Sequence, residues 1–122
     1  RRERAAIYTK ALSDLDLQLP GENPDVWSVF HVYSFLLPRR LAERRDEIVQ
    51  HLREERVPVG VAYPRPLYAS PVFAHLEGPF ECPVTEDVCS RVITLPTLQS
   101  IPVKIAETIG EITRDVIGEY ME

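Results

Sequence analysis

VWSVFHVYSFLL, residues Val26 to Leu37, is nearly continuous in aromatic, aliphatic and β-branched side chains. A run without polar alternation predicts a central strand covered on both faces, ended by Pro38. Downstream, Asp46 to Arg56 turns Ile48, Val49 and Leu52 to one side of a helix, and Val57 to Ala62 reads as a second, short strand. Strand, helix, strand predicts an α/β (α+β) fold.

Working outward, RRERAAIYTKAL at the start carries Ala5, Tyr8, Leu12 and Leu15 at helical spacing, with neither an N-cap residue nor a leading loop. The expectation is that the chain starts inside a helix, which ends near Leu12 or Ser13 before the turn-rich stretch to Asp25. Cys82-Pro83 opens another helix, and Arg91 to Leu95 makes a third short strand stopped by Pro96. The last helix, Pro102 to Tyr120, builds its apolar side from Ile105, Ile109, Ile112, Val116 and Tyr120. On the same helix Glu107, Glu111, Asp115 and Glu119 recur every four residues, a spacing at which like charges repel, so this stripe faces water or a basic partner surface.

Length and composition bound the answer. The chain has 122 residues, 44% hydrophobic and 27% charged, which suits one domain over residues 1–122 of an ordinary globular protein. Its 14 basic residues are interspersed with 19 acidic ones for a net charge of −5, which argues against nucleic acid as a partner. The densest basic region, Arg39 to Arg56, also holds five acids and reads as a solvated helix face. No apolar run approaches the roughly 20 residues of a membrane helix, and no signal peptide opens the chain, so the expected compartment is the cytoplasm. Cys82 and Cys89 lie two helical turns apart, too far for a mutual disulfide, and read as reduced, buried thiols.

Chemistry-bearing residues are sparse. His31 falls within the apolar strand, where a satisfied core histidine outweighs a catalytic base; His51 reads as a surface residue and His75 as a loop residue, with no metal-ligand spacing among them. Lys10 and Lys104 are the only lysines, both on amphipathic helices where nothing desolvates them for Schiff-base chemistry. The segment with most to offer is GVAYPRPLYASPVF, Gly60 to Phe73. Pro64, Pro66 and Pro71 restrict the backbone of a loop carrying Tyr63, Arg65 and Tyr68, two aromatics that suit a ring and a guanidinium that suits phosphate or carboxylate. Against that stands a plain structural role: Tyr63 in the core, Arg65 in solvent, Tyr68 anchoring the loop.

The order of these segments resembles the C-terminal part of the DegT/StrS family of pyridoxal-phosphate aminotransferases. RRERAAIYTKAL looks like that family's long Arg/Ala/Tyr helix, VFHVYSFLL like its His-x-Tyr strand, and RRDEIVQHLREERVPVGVAYPRPLYASPVF like its helix, strand and Tyr-Pro-x-Pro-Leu loop. CPVTEDVCSRVITLP is similar to the Pro-x-x-Glu helix and Leu-Pro strand, with Glu86 at the Glu position. The resemblance implies the small C-terminal domain of a fold-type I, homodimeric enzyme, with a short sheet of about three strands packed with helices. It implies that pyridoxal phosphate, its Schiff-base lysine and its phosphate cup belong to a large N-terminal domain absent from this chain. It further implies that glutamate or glutamine supplies the amino group of a keto-sugar nucleotide, with Tyr63, Arg65 and Tyr68 as lining residues of the sugar site.

Two departures stand in the loop: Ala62 and Tyr68 occupy positions where the family commonly has His. They motivate a second reading, a non-catalytic binding or assembly module derived from the same fold. A third is a stand-alone small α/β protein that binds an acidic sugar phosphate at Arg65.

Overall fold

The computed structural model describes residues 1–122. Helix α1 (Arg2–Leu12) leads through an irregular stretch to strand β1 (Tyr33–Leu36), then a 3-10 segment (Arg39–Arg44) running into α2 (Arg45–Glu54). The proline loop follows, then α3 (Pro83–Arg91), β2 (Val92–Leu95) and the long α4 (Val103–Met121). β1 and β2 pair antiparallel, with Tyr33 opposite Leu95 and Leu36 opposite Val92. Single bridges extend this ribbon on both edges, Gln18 to Leu36 and Gly60 to Thr94. The α+β expectation holds, with less sheet than the sequence predicts.

Proline placement explains why both predicted strands are shortened. The register puts residue 32 opposite Pro96, which has no N–H for the ladder, so pairing stops at Tyr33 and residues 26–32 run irregularly. Val26, Trp27, Val29 and Val32 are exposed, and Phe30 adopts φ +44°, which turns the chain. His31 is therefore exposed and outside the strand, contrary to the buried placement expected of it. In Val57 to Ala62, Pro58 likewise lacks a donor, and only Gly60 exchanges both backbone hydrogen bonds with Thr94, at 2.9 Å each.

The core lies between the ribbon and the helices. Tyr8 and Tyr33, both fully buried, meet edge to face with ring centroids 5.4 Å apart, and their hydroxyls are satisfied by the Pro96 carbonyl (2.8 Å) and the Thr9 hydroxyl (2.9 Å). Ile48 and Leu52 of α2, Ile93 and Leu95 of β2 and Ile117 of α4 complete it. On α4 the buried face is Ala106, Ile109, Gly110, Thr113, Val116 and Ile117, rotated from the expected one; Ile105 is half exposed. Small residues win because α1 approaches closely at Gly110. The acidic stripe of Glu107, Glu111, Asp115 and Glu119 is exposed as expected.

Arginines tie the loops to this frame. Arg1 donates to the His31 carbonyl at 2.8 Å, Arg2 to the Ser28 carbonyl at 2.6 Å and to Glu22, and Arg4 to the Ile101 carbonyl at 2.8 Å. The opening RRER is thus a set of clamps on residues 22–31 and 99–101. Arg45, expected on a solvated face, is buried and donates to the carbonyls of Cys89 and Val92 at 2.8 and 3.2 Å. Arg91 is buried too, bonded to the Leu37 carbonyl at 2.6 Å and to both oxygens of Asp87. Of the two thiols only Cys89 is buried; Cys82 is exposed at the N-cap of α3, ahead of the turns that pack.

Candidate functional site

The proline loop is built from short rigid pieces. After the Gly60 bridge, Tyr63 adopts φ +56°, a left-handed conformation that costs a bulky residue energy. Pro66 is extended, residues Leu67–Ala69 form one 3-10 turn, Ser70 is extended again, and Pro71–Phe73 form a second 3-10 turn. The second turn starts after Ser70, whose side chain makes no capping bond.

The structure separates the three candidate residues by role. Tyr63 is 71% exposed, so it is not part of the core. Arg65 is exposed, and none of the chain's ion pairs involves it. Tyr68 is half-buried and anchored: its hydroxyl donates to Oε1 of Glu86, and its ring stacks on Phe80 with centroids 5.8 Å apart and planes 24° apart. The carboxylate holds the phenol proton and partial burial adds to this, while the Cys82 backbone N–H pulls the other way. The phenol is pushed up to about 12 and stays protonated at neutral pH.

Glu86 lies in the first turn of α3, where a carboxylate is favoured by the unpaired N–H groups of the helix start. The Pro83 start of α3 sets its position, and Tyr68 reaches it across 18 residues. The pairing of these two residues is not visible in residue spacing. Between residues 67 and 88, Leu67, Val72, Phe73, Leu76, Phe80, Val84 and Val88 are all exposed.

Two grooves lie elsewhere. One of about 530 Å³ between α1 and α4 is lined by Lys10, Asp14, Glu107, Glu111 and Arg114. Another of about 460 Å³ runs between α1 and the residue 20–30 stretch and includes Arg2, Lys10 and Glu22. Both are open and charged, and neither includes a residue of the proline loop. No helix is long and apolar enough to cross a membrane.

The arrangement matches known proteins over nearly all of the chain. Helicobacter pylori PseC, an aminotransferase involved in the biosynthesis of pseudoaminic acid, shares the fold with a TM-score of 0.87 over 97% of this chain, at 18% identity. The fold is therefore that of a segment of a fold-type I aminotransferase, and it covers 32% of that enzyme. Residues 1–114 match the model of the DegT/DnrJ/EryC1/StrS aminotransferase family, and the chain belongs to that family. A dTDP-3-amino-3,4,6-trideoxy-alpha-D-glucose transaminase from Micromonospora megalomicea subsp. nigra is 33% identical over 96% of this chain. A UDP-N-acetyl-3-dehydro-alpha-D-glucosamine 3-aminotransferase from Acidithiobacillus ferrooxidans is 34% identical over 79% of it. The chain spans 32% of the first of these relatives and 24% of the second.

Proposed function

We propose that this chain is the C-terminal small domain of a pyridoxal-phosphate aminotransferase that moves an amino group from glutamate or glutamine to a keto-sugar nucleotide in amino-sugar biosynthesis. The observation that carries the reading is the match of residues 1–114 to an aminotransferase family. Identity to two nucleotide-sugar transaminases supports the substrate class.

The residues present do not fit the cofactor. Lys10 and Lys104 are exposed on helix surfaces, and no Gly-rich phosphate loop accompanies either. The reading therefore assigns the cofactor lysine and phosphate cup to an N-terminal large domain, with this domain inactive alone and the whole a cytoplasmic homodimer. Within it, the proline loop forms one wall of the sugar site. Tyr63 and Tyr68 offer aromatic surface, and the unpaired guanidinium of Arg65 suits a phosphate.

A second reading, a non-catalytic module of the same fold, is favoured by Ala62 and Tyr68: Ala62 carries no proton, and Tyr68 holds its own against Glu86. Assay of the full-length protein with pyridoxal phosphate, glutamate and a nucleotide keto sugar separates the two. Transfer of the amino group excludes the second reading; its absence in a folded, cofactor-loaded protein excludes the first.

A further inference from the structure

We propose that Glu86 and Tyr68 together form a hydrogen-bond acceptor that selects a sugar hydroxyl, making Glu86 a specificity-determining residue of the proposed sugar site. The inference rests on the sugar-nucleotide reading above and deepens it.

The argument is an inventory of protons. A phenol has one, and that of Tyr68 is spent on Oε1 of Glu86. An ionised carboxylate has none, and Oε2 of Glu86 takes part in no hydrogen bond. The next carboxylate along α3, Asp87, is held by Arg39 and Arg91, whereas no arginine or lysine pairs with Glu86. The two side chains themselves are therefore left with acceptors only and carry a negative charge, beside the backbone N–H groups of Cys82 and the helix start. Glu86 is exposed, Tyr68 half-buried, and the stacked Phe80 ring holds the phenol in place.

Such a pair of acceptors binds a group that brings its own proton. On a nucleotide sugar, that group is a hydroxyl of the sugar ring, while the diphosphate belongs near a cation such as Arg65. A protonated His at position 68 would have a second ring N–H beyond the one given to Glu86, a donor that Tyr68 lacks, so Tyr68 with Glu86 narrows what the site accepts.

Calorimetric titration of the full-length protein with dTDP-α-D-glucose against dTDP, and with UDP-N-acetyl-α-D-glucosamine against UDP, isolates the contribution of the sugar. Tyr68→Phe and Glu86→Gln should each lower the affinity ratio of sugar nucleotide to bare nucleotide by roughly three- to tenfold, leaving bare nucleotide affinity unchanged. An unchanged ratio in both variants overturns the proposal, as does an equal loss for nucleotide and sugar nucleotide, which marks a merely structural pair. Failure of the wild-type protein to bind either sugar nucleotide overturns the underlying substrate reading instead. Glu86→Gln keeps a hydrogen-bond partner for Tyr68, so the test stands if Tyr68→Phe fails to fold.

Discussion

Gly110 of α4 lies so close to Ala11 of α1 that a Cβ placed on it would sit 3.0 Å from the Ala11 Cβ, with the Tyr8 ring at 3.7 Å. Ala11 is fixed on its own helix backbone and has no flexible end to move aside. Gly118, two turns further along α4, has nothing within 4 Å of the same added atom. Gly110→Ala gains about 1 kcal/mol of helix propensity but overpacks the contact by about 1–3 kcal/mol, for a net loss near 1 kcal/mol. Gly118→Ala keeps the gain of about 0.5–1 kcal/mol without the clash. Thermal unfolding of the full-length variants should move in opposite directions.

The Asp87 carboxyl is held below the usual carboxylate range, chiefly by its hydrogen bonds to Arg91 and next by those to Arg39. A carboxyl whose folded value lies under its unfolded value of about 3.9 contributes stability above that pH and loses it as pH falls through the folded value. Stability should therefore decline below about pH 4, and Asp87→Asn should flatten that decline while lowering stability at neutral pH. Denaturant unfolding across pH 2–7 checks both. Arg91→Leu, which strips the Leu37 carbonyl of its side-chain donor and leaves Asp87 with Arg39 alone, should cost about 2 kcal/mol at neutral pH.

Tyr68 behaves oppositely. Its folded value, about 12, lies above the ordinary phenol value, so what the Glu86 bond contributes is fully present below about pH 10 and lost as pH rises toward the folded value. Glu86→Gln removes the carboxylate that holds the proton and should return Tyr68 toward 10. Ultraviolet titration of the wild type and Glu86→Gln, each minus its Tyr68→Phe counterpart, measures the shift.

Much of this was legible from residue order. The boundaries of α1, α2, α3 and α4 follow from prolines, turn residues and apolar spacing, because those signals are local. The strand ends were not, since they depend on which residue of one strand meets Pro96 of the other. The face of α4 escaped for a related reason: Gly110 and Thr113 score as polar or neutral, yet they are buried by the approach of α1. In the candidate site, a short turn-rich loop after the prolines was readable, and the exposure of Arg65 was one of the two readings its sequence allowed. The Tyr68 to Glu86 bond joins two loosely spaced segments and needed coordinates.

Arg2 stacks over the Trp27 ring at 4.7 Å, pairs with Glu22 at 2.5 Å and donates to the Ser28 carbonyl. Removing those three attachments at once in Arg2→Ala should free residues 22–30 from α1. Hydrogen exchange followed by mass spectrometry should show faster exchange in peptides covering 22–30 and little change in β1, whose amides are held by β2.

The most direct test of the central claim is the absorption spectrum of the full-length protein with pyridoxal phosphate, followed on adding glutamate and then a nucleotide keto sugar. An aminotransferase converts its lysine-bound pyridoxal to the pyridoxamine form with glutamate and back again with the keto sugar. A folded, cofactor-loaded protein whose spectrum stays unchanged through both additions contradicts the account.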